Sequence, residues 1–364
     1  MAGSVFGKLF RITTWGESHG VGLGAVIDGC PAGIELDESD IQRYLDRRKP
    51  GQSAYSTPRS EDDRIEILSG VFEGRTTGTP IAMEIRNKTQ RSADYSEIAR
   101  VYRPGHADYT FDGKYGFRDY RGGGRSSGRE TAARVAAGAV AAKLLSRLGI
   151  SVQAYTRSIG EICIQDMDMS YVDKTPLYMP DAAAAEEAMA YLDKLRAEGN
   201  SAGGVVECVV KGMPVGIGET VFDKLDADLA KAMLSIGAAK GFEIGEGMNA
   251  ARLTGLENND GFTVRDGRTV KTSDHSGGVL GGMSDGSDIL FRVAFKPTPS
   301  ISSLQHTVDR DGNECDISIK GRHDPIIVPR AVVVVETMAA LVIADKLLEN
   351  MIARMDRIEE FYRR

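Results

Sequence analysis

Five arginines and a run of three glycines occupy one short stretch of the sequence, residues 116–134. The stretch begins GFRDYRGGGRSSGRET, ends at Arg134, and contains only two acidic residues. Glycines, the hydroxyls of Ser126 and Ser127, and guanidinium groups that bind two oxygens at once are suited to holding phosphate. A predicted helix starts at Thr131, and the free N–H groups at a helix N-terminus also bind anions. The stretch therefore predicts a site for phosphate or another polyanion.

Three partial motifs point to other chemistries, and each lacks a required part. Residues 123–128 have the glycine spacing of a Walker A loop, but Arg129 and Glu130 replace its lysine and its hydroxyl residue. Residues 16–20 (GESHG) match the nucleophile elbow of serine hydrolases, and residues 20–25 match a dinucleotide fingerprint. Both motifs require a helix directly afterwards, whereas the following residues predict a turn and a strand. These three functions are therefore disfavoured.

Two further segments combine positive charge with residues that could transfer protons. Residues 46–51 (DRRKPG) include Arg48 and form either an anion contact or a solvated charge run. Residues 103–106 (RPGH) place His106 beside positive charge, which would lower its pKa and favour the neutral imidazole suited to proton transfer. His19, within GESHG, is either a structural loop histidine or a second such group, and the residues alone leave both interpretations open.

The second half of the chain repeats this mixture of glycine, hydroxyl and cation. It occurs at residues 275–282 (HSGGVLGG), 296–300 (KPTPS) and 321–325 (GRHDP), followed by Arg330. Each segment alone is an ordinary turn, but together they suggest several loops converging on a pair of large anionic ligands. Asp345 lies in an otherwise apolar helix, where an unpaired carboxylate would cost several kcal/mol. It must be paired, protonated or used in chemistry.

The overall composition is that of a folded globular protein. The chain has 364 residues, of which 41% are apolar and 27% charged, and its net charge of −7 gives no support for a nucleic-acid or anionic-membrane partner. Four cysteines without a CxxC pair indicate neither a disulfide framework nor a zinc ribbon, so no metal is expected. The first 20 residues lack a secretory pattern, and the most apolar stretch, residues 331–344, is too short to span a membrane. A cytoplasmic protein is expected.

Hydrophobic patterns predict the elements that must position these segments. Short β-branched and apolar runs predict strands at residues 10–14, 24–28, 64–68 and 81–86. Alanine-rich or amphipathic patterns predict helices at residues 131–148, 181–198, 223–236 and 331–355. Asp181 and Asp223 are expected to cap their helices, and Gly149 to end the first one. Residues 332–335 could alternatively begin as a strand.

The irregular alternation of strands and helices predicts an α+β fold rather than a doubly wound or barrel fold. No linker or fixed-period repeat is visible, so residues 1–364 are expected to form a single domain. Residues 165–180 have little periodicity and are interpreted as an inserted surface loop. Four other stretches are too long for ordinary connections and are predicted to be functional loops, namely residues 46–63, 103–129, 258–286 and 296–323.

The sequence resembles the chorismate synthase family along essentially its whole length. The resemblance rests on GESHG at residues 16–20, RPGHADY at 103–109, the block beginning YRGGGRSS at 120–137, and GRHDP at 321–325. It implies a β-α-β sandwich with apolar helices between antiparallel-type sheets, assembled as a homotetramer. It also implies that the chain binds reduced FMN and acts on 5-enolpyruvylshikimate 3-phosphate, which loses phosphate and a C6 proton in a 1,4-anti elimination that gives chorismate.

The resemblance also implies roles for individual residues. His19 would donate a proton to the departing phosphate, His106 would be the proton partner of the reduced flavin, and Asp345 would assist removal of the C6 proton. Substrate contacts are implied for Arg48, Arg129, Arg134 and Arg330. FMN contacts are implied for a longer set, namely Arg125, Ser126, Ser127, Gly237, Ala238, Gly281, Lys296, Pro297, Thr298, Pro299, Ser300 and Arg322.

Two positions depart from the pattern of the family. Ala54 stands where relatives commonly carry an arginine implicated in anion or pyridine-nucleotide contact, and Lys49 stands where arginine is common. Lysine lacks the bidentate fork of arginine, so one phosphate contact would be looser or supplied by a neighbour. Without a complete dinucleotide fingerprint, reduction of the flavin by a separate reductase is expected. The main alternative function is a protein that binds a flavin or phosphate ligand without catalysis.

Overall fold

An antiparallel sheet of five strands is built mainly from the first 90 residues. The computed structural model describes residues 3–53, 55, 56, 61–88, 99–121, 123–319 and 324–363. The strand order is β1-β2-β3-β7-β4, and neighbouring strands run antiparallel. The strands are β1 (Val5–Phe6), β2 (Arg11–Gly16), β3 (Gly22–Asp28), β4 (Ile65–Ile67) and β7 (Ile81–Arg86), with a hairpin of β5 (Val71–Phe72) and β6 (Arg75–Thr76) before β7. The four strands predicted from the sequence are confirmed.

A second antiparallel sheet comes from the middle of the chain, with the order β11-β16-β10-β8-β9. Its strands are β8 (Ser151–Ile159), β9 (Ile162–Cys163), β10 (Gly204–Lys211), β11 (Ala239–Ile244) and β16 (Ile289–Phe295). Three small hairpins pair β12 (Phe262–Arg265) with β13 (Arg268–Lys271), β14 (Val279–Leu280) with β15 (Met283–Ser284), and β17 (Gln305–Val308) with β18 (Glu314–Ile317). The sequence analysis did not predict these strands.

Two apolar helices, α3 (Thr131–Arg147) and α7 (Val328–Asn350), pack against each other between the sheets. Helix α3 contacts β2 and β3 of the first sheet, and α7 contacts β8 and β10 of the second. In α7, every residue from 328 to 346 except Arg330 is buried. The predicted α+β fold, with apolar helices between antiparallel sheets, is therefore confirmed.

The remaining helices lie around this central pair. They are α1 (Glu38–Arg48), α2 (Asp108–Tyr115), α4 (Ala182–Ala197), α5 (Leu225–Leu234), α6 (Gly255–Asn258) and α8 (Met355–Tyr362), together with short 3-10 helices at Gly124–Ser126, Gly128–Glu130, Met169–Lys174 and Gly247–Arg252. Helix α1 contacts both α3 and α7, and α5 contacts α7. Among the described residues, none of these helices has the length and apolar composition that a membrane span requires.

Two predicted helices differ from the observed ones. Asp223 does not cap α5, which begins after Lys224, because the Asp223 carboxylate accepts a hydrogen bond from Lys8 Nζ at 2.5 Å instead. The helix predicted at residues 331–355 begins earlier, at Val328, and is followed by the separate helix α8, so the alternative strand at residues 332–335 is wrong. Asp181 caps α4 as predicted.

Two predicted loops also contain regular structure. Residues 46–48 form the last turn of α1 rather than a loop, so Arg48 projects from a helix. The supposed surface loop at residues 165–180 buries Val172, Leu177 and Met179, because its backbone carbonyls bond the backbone N–H and hydroxyl of Thr156 in β8. The prediction of an inserted surface loop is wrong.

The close approach of α3 and α7 gives a test of the central packing. A Cβ added at Gly138 would lie 2.4 Å from the backbone oxygen of Thr337, whereas a Cβ at Gly113, inside α2, would meet nothing within 4 Å. We expect Gly138→Ala to lower the free energy of unfolding by about 1–3 kcal/mol, the usual cost of overpacking. Gly113→Ala should leave it unchanged or raise it by up to about 1 kcal/mol. Urea unfolding compares the two, and equal effects would contradict the packing described here.

Candidate functional site

Two buried arginines share one buried carboxylate at the N-terminal end of α3. Asp63, 2% exposed, accepts a hydrogen bond from Arg48 Nη2 at 2.5 Å through Oδ2 and one from Arg129 Nη1 through Oδ1. Burial alone would raise the pKa of Asp63, but the two guanidiniums outweigh burial and lower it. Arg48 also donates to the carbonyl of Gly128 at 3.3 Å, which ties the end of α1 to the start of α3.

This cluster keeps an excess of positive charge and of hydrogen-bond donors. Two guanidiniums face one carboxylate, and burial lowers the pKa of both Arg48 and Arg129. Within the described part of the chain, Arg48 Nε and Arg129 Nη2 are buried without a hydrogen-bond partner. Buried donors without partners are rare because each costs about 1–3 kcal/mol. The cluster is therefore suited to receive an anion.

Arg330 joins the same cluster from the first turn of α7. Its Nε donates to the carbonyl of Arg48 at 3.0 Å, and its Nη1 bonds Asp324 at 2.7 Å. A cavity of about 220 Å³ opens beside Arg330 and is also lined by Arg47 and Lys49. Lys49 bonds Asp46 at 2.8 Å, so its ammonium group already has an ionic partner. Three of the four predicted substrate arginines, those at positions 48, 129 and 330, thus lie together.

The loop that carries His19 lies beside this cluster. His19 is 7% exposed, and its Nδ1 lies 3.2 Å from the hydroxyl of Ser18. The side chain of Asn87 bonds the carbonyls of Glu17 and Gly20, at 3.0 and 2.9 Å, and accepts a hydrogen bond from Arg129 Nε at 3.0 Å. The predicted proton donor and a predicted substrate arginine are therefore connected through one side chain.

His106 lies against the glycine run of the arginine-rich stretch. Its Nδ1 bonds Asp108 at 3.0 Å, and its ring carbon Cε1 would be 3.4 Å from a Cβ at Gly123. Asp108 also pairs with Arg103 through Nε and Nη2, at 2.7 and 2.8 Å. Burial would raise the pKa of Asp108, but the hydrogen bonds from Arg103 and His106 hold it well below its ordinary range. A charged carboxylate therefore fixes the orientation of the imidazole.

The KPTPS segment, residues 296–300, contacts the loop of His106. Lys296 Nζ donates to the carbonyl of Gly105 at 2.5 Å, and a Cβ at Gly105 would lie 3.3 Å from Pro299. Burial and the nearby Lys240 lower the pKa of Lys296. Among the described residues, the hydroxyl of Thr298 is buried without a hydrogen-bond partner. The segment places an ammonium group beside Gly105, the residue before His106.

Gly237 and Ala238 adjoin the same segment. Lys296 N donates to the carbonyl of Ala238 at 3.0 Å, and Ala238 has a φ of +70°, a left-handed backbone that a non-glycine residue seldom adopts. A Cβ at Gly237 would meet nothing within 4 Å, so the backbone there is open to a ligand. The KPTPS segment and residues 237–238, both predicted to contact FMN, thus come together.

The side chains of Arg125 and Arg134 make hydrogen bonds to neighbouring groups of the protein. Arg125 donates to Thr14 Oγ1 at 2.7 Å, and Arg134 bonds Glu130 at 2.7 Å and the hydroxyl of Ser235 at 2.7 Å. Glu130, 8% exposed, also accepts from Thr14 Oγ1 at 2.8 Å and so joins the two arginine networks. The hydroxyl of Ser126 donates to the carbonyl of Gly123, and that of Ser127 caps the next 3-10 turn.

Asp345 contacts the N-terminal segment rather than the residues of the arginine cluster. Its carboxylate accepts hydrogen bonds from the backbone N–H groups of Lys8, Leu9 and Phe10 at 2.7–2.9 Å. Residues 8–10 precede β2, whereas the His19 loop follows it. The six residues of β2 separate the two by about 20 Å along the strand. The role predicted for Asp345 in proton removal stays a prediction. The sequence revealed a carboxylate in an apolar helix but could not reveal that backbone groups stabilise it.

One further predicted position, Gly281, remains outside the assembled site. Gly281 lies in the β14–β15 turn, next to Gly282, whose carbonyl bonds the first residue of α5. Residues 237 and 238 follow the opposite end of α5, about 15 Å away along a ten-residue helix. Arg322 and Ala54 lie outside the described residues.

Sequence reasoning missed the acidic and amide partners that organise the site. Asp63, Asp108 and Asn87 hold the predicted arginines and histidines in place, yet none belongs to a cationic or glycine-rich motif. Asp108 could have been found, because it lies two residues after His106 within the matched RPGHADY motif. Asp63 and Asn87 become visible only when the chain folds, since they contact residues 15 to 70 positions away.

Comparison with known proteins agrees with this arrangement. The chorismate synthase family profile matches residues 10–348. The chain is 64% identical to the chorismate synthase of Agathobacter rectalis and 62% identical to that of Lachnoclostridium phytofermentans, with 100% of each chain covered in both comparisons. It is 56% identical to the chorismate synthase of Methanosarcina mazei, covering 96% of this chain and 97% of the relative.

A solved structure gives the same result for the fold. A crystal structure of chorismate synthase superposes with a TM-score of 0.76 at 34% sequence identity, covering 98% of this chain and 97% of that chain. The family profile, the relatives and the fold all point to the same family. The chain therefore belongs to the chorismate synthase family of enzymes.

Proposed function

We propose that this protein is a carbon–oxygen lyase that converts 5-enolpyruvylshikimate 3-phosphate to chorismate and phosphate with reduced FMN bound. The observation that carries the proposal is the convergence of Arg48, Arg129 and Arg330 with the His19 loop near the start of α3, with His106 packed against Gly123 of the preceding glycine run. Such a site combines anion binding with proton transfer. Family membership supports the same reaction.

The arginines bind the anionic groups of the substrate. The substrate carries a phosphate and two carboxylates, and guanidinium groups bind such oxygens bidentately. The unpartnered N–H groups of Arg48 and Arg129 would be satisfied by these oxygens, so binding removes two buried unsatisfied donors. Arg330 and Arg134 lie at the N-termini of α7 and α3, where the helix dipole also favours negative charge.

Two histidines take part in the proton transfers. In the elimination, the C–O bond to phosphate breaks and the phosphate keeps that electron pair, while the C6–H electron pair and the ring double bond shift to form the diene of chorismate. The C6 proton would pass to the reduced flavin, with Asp345 assisting as the family resemblance implies. His19 donates a proton to the departing phosphate, which makes it a better leaving group. His106 stays in one orientation because Asp108 accepts from its Nδ1, so its Nε2 is directed away from Asp108 and can exchange a proton with a bound ligand.

The residues present fit a flavin phosphate and ring. The ammonium of Lys296, the unpartnered hydroxyl of Thr298 and the open backbone at Gly237 would hold the cofactor next to His106. Reduced FMN supplies electron density that stabilises the electron-poor centre formed as phosphate leaves. Residues 125–127 would also donate hydrogen bonds to the cofactor after giving up the hydrogen bonds that they make within the protein.

The physiological setting is proposed by analogy with the family. We infer a homotetramer in the cytoplasm that receives its reduced flavin from a separate reductase. The segment that matched a dinucleotide fingerprint, residues 20–25, runs into β3 rather than into a helix. This observation favours reduction elsewhere.

Replacement of His106 tests catalysis against simple binding. His106→Ala should lower kcat by about 10²-fold or more, the usual contribution of a general acid–base group, while FMN still binds. The measurement is an anaerobic assay of chorismate and phosphate with chemically reduced FMN. The matched control is His306→Ala, since His306 is exposed on β17. Wild-type turnover in His106→Ala would contradict the assignment, and FMN binding without any product in the unmodified protein would favour a binding protein.

Replacement of Arg48 tests the anion cluster. Arg48→Ala should raise the dissociation constant of the substrate by a factor equivalent to about 1–3 kcal/mol, because a charge-assisted contact is lost. Calorimetric titration measures this change. Arg48→Lys retains the charge but not the fork, so it should give a smaller increase and reports on the site if the alanine variant unfolds. An unchanged affinity in both folded variants would remove Arg48 from the site.

A further inference from the structure

Asn87 occupies a position that the first sheet fixes precisely against the His19 loop. It directly follows β7, whose last residue, Arg86, pairs with Gly22 of β3. The antiparallel ladder continues by one rung, because Asn87 N donates to the carbonyl of Val21 at 3.0 Å. The register of the sheet therefore sets the distance between Asn87 and the residues that precede β3.

The side chain of Asn87 uses all of its hydrogen-bonding groups at this position. Nδ2 donates to the carbonyls of Glu17 and Gly20, the residues on both sides of the Ser18–His19 pair. Oδ1 accepts from Arg129 Nε. A primary amide has two donor hydrogens and one acceptor oxygen, so one side chain links the loop and the guanidinium in fixed orientations.

The guanidinium of Arg129 is oriented by two partners. Asp63 accepts from Nη1 and Asn87 accepts from Nε, which fixes the plane of the group. The remaining nitrogen, Nη2, is the buried one without a partner among the described residues. Asn87 therefore orients Arg129 Nη2, the donor that is available to a ligand, and also holds the loop of His19.

We propose that Asn87 is a positioning residue that keeps His19 and Arg129 at one fixed separation, so that both act on the same phosphate group. The inference rests on the proposed function. Proton donation requires the donor within hydrogen-bond reach of the leaving group, and a misplacement of about 1 Å can cost about 10²-fold in rate. Asn87 contacts neither reacting atom and acts through the two groups it connects.

Two substitutions separate the two ends of this connection. In Asn87→Asp, a carboxylate oxygen still accepts from Arg129, but the other oxygen faces the carbonyl oxygens of Glu17 and Gly20 and repels them. In Asn87→Ala, both connections are lost. The aspartate variant should therefore disturb the His19 loop and add a negative charge beside Arg129, whereas the alanine variant should lose both connections without adding charge.

The experiment uses the full chain with chemically reduced FMN under anaerobic conditions. Asn87→Asp should lower kcat about tenfold or more, because the repelled loop no longer holds His19 in place. Asn87→Ala should raise the dissociation constant about tenfold and also lower kcat. The matched control is Asn259→Ala, an exposed asparagine after α6, which should change neither quantity.

Double variants distinguish positioning from general destabilisation. In an Arg129→Ala background, Asn87→Ala should no longer change the dissociation constant, and in a His19→Ala background, Asn87→Asp should no longer change kcat. Additive effects in both backgrounds would overturn the proposal. So would kcat and affinity that match the Asn259→Ala control, or losses that simply follow a lower Tm.

A second readout separates failure of this inference from failure of the proposed function. Titration of inorganic phosphate, followed by NMR of the His19 ring, should shift its resonances in the unmodified protein and shift them much less in Asn87→Ala. If the unmodified protein makes no chorismate, the proposed function fails, and this titration decides the positioning role. An equal His19 response in both proteins would overturn it.

Discussion

The packing of α3 against α7 is the constraint on which the rest of the structure depends. Gly138 of α3 leaves no room for a side chain against Thr337 of α7, so the two helices touch through their backbones. Helix α3 lies mainly against the first sheet, and α7 lies against the second. The helices also begin at the same place, since Arg48 bonds Gly128 before α3 and is bonded by Arg330 in α7. Close helix contact thus brings two N-termini to one site.

The charges of the site follow from this arrangement. Two helix N-termini, each carrying a partial positive charge, lie beside the guanidiniums of Arg48, Arg129 and Arg330. Without a counter-charge, such a cluster would be too costly to bury. Asp63 supplies that charge and leaves an excess of one guanidinium over carboxylate in its immediate contact set. An acidic protein can therefore hold a local anion site.

The sequence allowed the central layer and the cationic segments to be predicted, since both depend on local composition. Helices α3 and α7 are apolar on every face, which is readable from the chain alone. Helix α1 was missed although its Asp37 capping box is a local signal. The second sheet was missed although glycine- and proline-containing turns bound the apolar runs of β10 and β16. Asp63 and Asn87 could not be predicted, because their importance comes from distant contacts.

The attachment of the N-terminal segment to Asp345 has a consequence for how the chain folds. The amides of Lys8 to Phe10 find their acceptor on a residue 335 to 337 positions later, so this contact closes nearly the whole chain. Contacts of such long sequence separation form late and slow folding, because a large loop entropy must be lost first. During synthesis, the contact between residues 8–10 and Asp345 can therefore form only after α7 has been made.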